Sequence, residues 1–203
     1  MDDQDCQQCI ARLAASRRIL ILGSSGSGKT FLAVRLAGLL QLELIHLDAN
    51  FWKPGWIPTP RDQWRATVSS LVQKPAWIMD GTYESSLDLR IPASDAIIYI
   101  ERGRLACLWG VAKRKVTSWF GNRPDAPSGE RLDRAFINYI WNFPSITRTA
   151  VFAHLEKLGR SDAVIILKGP GDVRRLLRNM RKTSFLAERS RPAEGNFHAP
   201  NRT

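Results

Sequence analysis

The chain has 203 residues and a mass of 22.9 kDa, enough for one domain with a substantial core. Hydrophobic residues make up 44% and charged residues 24%, a globular balance that excludes a wholly disordered chain, and the longest apolar runs are far too short to cross a bilayer. The acidic start, with Asp2, Asp3 and Asp5, is the opposite of a basic secretory leader, so a soluble, cytoplasmic protein is expected.

The formal net charge of +11 is uneven: residues 1–100 are balanced, and the whole excess lies beyond them. Such a field suits an anionic partner, whether nucleotide phosphates, nucleic acid or an acidic surface. Cys6, Cys9 and Cys107 complete neither a disulfide framework nor a four-ligand zinc site. They are expected to be reduced thiols, the first two in a flexible segment over 1–16.

In chain order, residues 19–22 (Ile-Leu-Ile-Leu) predict a strand buried on both faces, ended by Gly23. Leu32, Leu36, Leu39 and Leu40 then recur at helical spacing. Residues 42–47 read as a second strand ending at Asp48. A loop rich in Trp and Pro leads to a helix over about 61–73. Residues 77–79 and 96–100 predict the third and fourth strands.

Leu105, Leu108, Trp109, Ala112 and Val116 give the next helix its apolar stripe. The Pro- and Gly-bearing stretch 121–129 follows as a mobile loop, within a lid expected at about 113–130. Helices near 130–142 and 146–158, a fifth strand at 163–167 and a helix near 171–182 complete a domain over 17–182. Residues 183–203 predict a disordered basic tail. Five apolar strands alternating with helices define an α/β fold with a parallel sheet covered on both faces.

Gly23-Ser24-Ser25-Gly26-Ser27-Gly28-Lys29-Thr30 fits G-x-x-x-x-G-K-[ST] at every position, between a strand and a helix. Glycines let the backbone curl so that successive N–H groups face phosphate oxygens, and the helix adds its positive end. Lys29 would reach the β- and γ-phosphates, and the Thr30 hydroxyl would bind Mg²⁺. ATP with Mg²⁺ is the expected ligand. Asp80, at the end of the third strand, is placed to hold a magnesium water, although an Asp-Gly pair also suits a plain turn.

Asp48, at the end of the second strand, is expected to face the same crevice, with a cap for the following loop as the alternative. It is a candidate to take a proton from an attacking hydroxyl, or to hydrogen-bond the acceptor. Arg114 and Arg123, before and within the mobile loop, are candidates to neutralise charge in phosphoryl transfer. Arg174, Arg175, Arg178, Arg181 and Lys182 read as a solvated face ahead of a nucleic-acid footprint.

Several segments then point to a family. Ile45-His46-Leu47-Asp48, Phe51-Trp52-Lys53-Pro54-Gly55-Trp56, Asp80-Gly81-Thr82-Tyr83 and Leu87-Asp88-Leu89-Arg90, with the phosphate loop, resemble the bacterial DNA topology modulation proteins. Arg123-Pro124-Asp125, Glu130-Arg131-Leu132-Asp133 and Trp141-Asn142-Phe143-Pro144 extend the resemblance, which runs from about Arg18 to Arg181. These are adenylate-kinase-related proteins. The resemblance implies a three-layer, nucleotide-kinase-like P-loop fold with a five-stranded parallel sheet and a helical lid, in which Arg114 and Arg123 fall where related kinases carry lid arginines. Adenylate kinases follow Asp-Gly with Phe-Pro-Arg; here Thr82-Tyr83-Glu84 stands instead, which weakens the case for AMP as acceptor.

The expected function is a kinase carrying the ATP γ-phosphate to a small molecule or nucleotide bound against Asp48, Phe51, Trp52, Trp56 and Arg90. An ATP-regulated nucleic-acid-binding protein is the less favoured alternative, followed by a nucleotide-binding regulator with little turnover.

Overall fold

The computed structural model describes residues 3–118 and 132–189. Its first element corrects an expectation: Asp3–Ala15 is a helix (α1), not a flexible segment. Cys6, Ile10 and Leu13 fall on one helical face and are buried, while Asp3 and Asp5 sit at the positive end and Arg12 at the negative end. That stripe is hidden in a sequence of Asp, Gln and Cys, which reads as polar.

After α1 come β1 (Arg18–Gly23), α2 (Lys29–Leu40), β2 (Leu44–His46) and the short α3 (Leu47–Phe51). The expected loop then contains a small hairpin, β3 (Trp52–Lys53) and β4 (Ile57–Pro58), turned through Gly55 and Trp56 at positive φ. The chain continues through α4 (Arg61–Val72), β5 (Trp77–Asp80), α5 (Leu87–Ala93), β6 (Ala96–Glu101) and α6 (Arg104–Ser118). Most of the expected lid, with Arg123, lies outside the described residues. The remaining elements are α7 (Arg134–Asn142), α8 (Thr147–Lys157), β7 (Val164–Lys168) and α9 (Pro170–Arg189), the last running beyond the predicted end at 182.

Five strands form one parallel sheet in the order β2-β5-β1-β6-β7. The alternation of side chains along β1 divides the core. Ile19 and Ile21 join Ile78 and Ile98 under α1, α2 and α9; Leu20 and Leu22 join Met79 and Ile97 under α4, α5 and α8. This gives three layers. Because β5 runs between β1 and β2, the carboxyl ends of the three strands lie side by side, with Ile21 opposite Asp80 on one edge and His46 opposite Asp80 on the other. Asp48 is not a strand terminus, as expected, but belongs to the first turn of α3. The turn still leaves it in the crevice.

Candidate active site

The phosphate loop is shaped by backbone that only glycine adopts easily. Gly23, Gly26 and Gly28 have φ of 141°, 77° and 101°. A Cβ on Gly26 would lie 2.1 Å from the Cys107 carbonyl oxygen of α6, and one on Gly110 would lie 2.4 Å from the Gly26 carbonyl oxygen. The loop and α6 therefore touch backbone to backbone. Arg102 adds a bond from Nη1 to the Gly26 carbonyl at 3.3 Å.

Within the loop, Lys29 Nζ donates to the Ser24 carbonyl at 2.9 Å. Burial draws its pKa below the usual lysine value, against the pull of Asp80 and Asp48. The Thr30 hydroxyl donates to Asp80 Oδ2 at 2.7 Å, which joins the two expected magnesium ligands. The Ser27 hydroxyl is buried with no protein partner. An orphaned donor in a glycine-curled loop, a lysine and a Thr–Asp pair fit a nucleoside triphosphate with its metal ion. His46, not anticipated from the sequence, places Nδ1 3.3 Å from the same Asp80 oxygen.

Across a cavity of about 920 Å³ lie Asp48, Trp52, Trp56, Tyr83, Glu84, Asp133 and Tyr139. The Tyr83 hydroxyl donates to Asp48 Oδ1 at 2.6 Å. Burial raises the Asp48 pKa above the ordinary carboxylate range; the Tyr83 bond and Lys29 oppose it. The Tyr83 phenol is raised in turn, by burial first and then by the Asp48 charge. Arg114 lines the cavity from α6 and acts electrostatically on both Lys29 and Asp48.

Two expected acceptor contacts sit elsewhere. Phe51 lies behind the wall, its ring edge-on to Trp52 at 4.9 Å and to Trp64 at 5.1 Å. Arg90 is fully buried beneath residues 81–86, and its guanidinium donates to the carbonyls of Gly81, Thr82, Tyr83 and Ser86. Those carbonyls outbid any ligand for its donors. They also hold Tyr83 at a φ of 29°, a strained value for a residue with a side chain. Arg90 thus positions Tyr83, which positions Asp48.

Sequence reasoning missed Tyr83, Glu84, Arg102, Asp133 and Tyr139. Tyr83 and Glu84 follow Asp80-Gly81 directly, and that adjacency was the available signal. Nothing in the linear order brings Asp133 and Tyr139 here.

No protein-family model matches this sequence, and no curated protein matches it. Among solved structures it is similar to shikimate kinase from Acinetobacter baumannii in complex with shikimate, with a TM-score of 0.56 and 16% identity, over 90% of this chain and 99% of that one. A gluconokinase from Sinorhizobium meliloti 1021 aligns with a TM-score of 0.46 and 15% identity, over 86% and 97% of the two chains. The fold is that of the P-loop kinases. It is the three-layer form expected from the sequence, with a five-stranded parallel sheet.

Proposed function

We propose that the chain is an ATP-dependent phosphotransferase acting on a small-molecule or nucleotide hydroxyl. One observation carries this reading: a single cavity joins the phosphate loop and its Thr30–Asp80 pair to a partly buried carboxylate, Asp48, held by a tyrosine on the opposite wall. The amides of residues 23–30 and Lys29 would hold the phosphates, while Thr30 and Asp80 would hold Mg²⁺. Bound there, the ion would supply charge neutralisation to the phosphate oxygens.

Asp48 accepts the proton of the acceptor hydroxyl as that oxygen bonds to the γ-phosphorus and ADP departs. Its raised pKa makes it a better base than an exposed aspartate, and Tyr83 fixes its orientation. Arg114 balances charge on the donor side; Arg123 joins it in this proposal on sequence position alone. Trp52 and Trp56 supply the apolar wall. The resemblance to the DNA topology modulation proteins, and a lid at about 113–130, belong to the same reading.

The test is γ-labelled ATP incubated separately with nucleosides, nucleotides, amino alcohols, sugars and hydroxy acids, with products resolved by chromatography. Label transferred by the wild type and lost in Lys29→Ala supports the proposal; ATP binding with no transfer to any acceptor defeats it. The exposed residues Arg174, Arg178 and Lys182 on α9 allow a parallel check on nucleic acid. DNA affinity at physiological salt is expected to stay at the non-specific level, about 10⁻⁴–10⁻⁶ M, and to ignore ATP.

A further inference from the structure

The cations that line the cavity among the described residues are Lys29, Arg102 and Arg114, and all three belong to its donor end. Lys29 is in the phosphate loop, Arg102 is bonded to Gly26, and Arg114 follows Gly110 on the helix packed against that glycine. Arg90, six residues beyond Glu84, is enclosed by four carbonyls, while Lys53 and Arg134, next in sequence to Trp52 and Asp133, are exposed and do not line the cavity. Among the described residues, Lys29 and Arg114 reach Asp48 electrostatically from the donor side, and the charged and aromatic side chains of the acceptor end itself are acidic and aromatic ones.

Asp48 and Glu84 supply carboxylates there, and Asp133 a third that is partly occupied by capping α7 through the Phe136 amide at 2.8 Å. Trp52 and Trp56 stand with ring centroids 5.3 Å apart and tilted by 51°, a corner and not a flat stack. Tyr139 lies within electrostatic reach of both Glu84 and Asp48, and of Tyr83, so these groups surround one space.

Aromatic faces carry negative charge density and attract cations, most strongly where water is excluded. A phosphate or carboxylate brought to the same place would be desolvated against two like charges. Asp48 has a part in proton transfer, whereas Glu84 has none in either the donor end or the chemistry. Its position is explained by a positive group on the ligand.

We propose that the acceptor is a cationic alcohol: it presents its hydroxyl to Asp48 and an ammonium group to Glu84 and the Trp52–Trp56 corner. The hydroxyl's role rests on the phosphotransferase reading above; the charge preference rests on the lining alone.

The experiment titrates the full chain, holding Mg²⁺ and a non-hydrolysable ATP analogue, with three probes followed by ligand-observed NMR. These are choline, its neutral isostere 3,3-dimethylbutan-1-ol, and the anion glycerate. Choline is expected to bind about tenfold or more tighter than the isostere, with glycerate weakest. Glu84→Gln and Trp56→Ala should each bring choline within about threefold of the isostere, while affinity for the ATP analogue reports that the fold is intact. Equal or tighter binding of the isostere, preference for glycerate, or choline affinity unmoved by Glu84→Gln would overturn the charge assignment. Turnover is read separately on the acceptor panel. Choline bound without label transfer to any acceptor removes the kinase reading and keeps the charge assignment; transfer to an anionic acceptor alone does the reverse.

Discussion

The two ends of the cavity are built on different principles. The donor end is mostly main chain: three glycines at positive φ, a helix N-terminus and a carbonyl contact with α6, with few side chains added. The acceptor end is mostly side chain, drawn from α3, the β3–β4 hairpin, the turn after β5 and α7. Main-chain geometry serves a ligand part that never varies, such as a chain of phosphates. Side chains on short, separate elements can be exchanged one at a time. The contrast teaches where this scaffold is fixed and where it is free to specialise.

The sharpest way to break the comparison is to disable each end alone. Asp48→Asn should lower turnover by about 10²–10⁴ and barely move ATP affinity. In the wild type, the acid limb of kcat should fall at a pH above that of an ordinary aspartate, because Asp48 must be ionised and burial raises its pKa. Lys29→Ala should cost about 10²–10³ in turnover, from losing one preorganised cation at the transferring group. A drop in ATP affinity with normal turnover in Asp48→Asn would erase the division into two ends.

Arg90→Met tests the acceptor end from beneath. It takes the guanidinium donors from the buried Gly81 and Thr82 carbonyls, while the Tyr83 carbonyl keeps the Ser86 amide and hydroxyl, and a loss of about 3 kcal/mol in denaturant unfolding is expected. Freed of those bonds, Tyr83 should leave its strained φ, and kcat should fall without a matching change in ATP affinity. Gly110→Ala is the counterpart at the donor end. Its methyl meets the Gly26 carbonyl oxygen, so about 1–3 kcal/mol of stability and much of the ATP affinity should be lost.

The smallest effect has the opposite sign. Asp48 has a folded-state pKa above its unfolded value, so the folded state carries a cost once the pH exceeds both. Asp48→Asn should therefore raise the melting temperature slightly near pH 7–8. The gain should vanish near pH 3, where both states are protonated. A melting temperature unchanged at both values would count against burial of that charge.

How much of this was legible in the sequence follows from the same contrast. The five sheet strands and the phosphate loop are local signals, and each appears where its pattern puts it. Asp80 and Thr30 were each readable, although their 2.7 Å bond is a product of sheet register. The acceptor end resisted because its members meet only after folding. Arg90 was misread for a physical reason: an arginine near a binding site is expected to face the ligand, yet four inward carbonyls compete better for its donors. The hairpin at Trp52–Pro58 looked like a loop because prolines and glycine dominate it. α1 looked frayed because cysteine and glutamine mask its buried stripe.

α1 also sets a condition on how the chain is made. Its buried face rests on α9, with Cys6 Sγ accepting from Asn179 and Asp3 paired with Arg175, 173 and 172 residues away along the chain. α1, which precedes α9 along the chain by the whole sheet, thus waits for that helix before it can bury its apolar side. Until then the sheet flank it shares with α2 and α9 stays open to water and to other nascent chains. The two helices close that flank together, so a nick or deletion at either end should expose it equally, and separately added fragments should find each other through it.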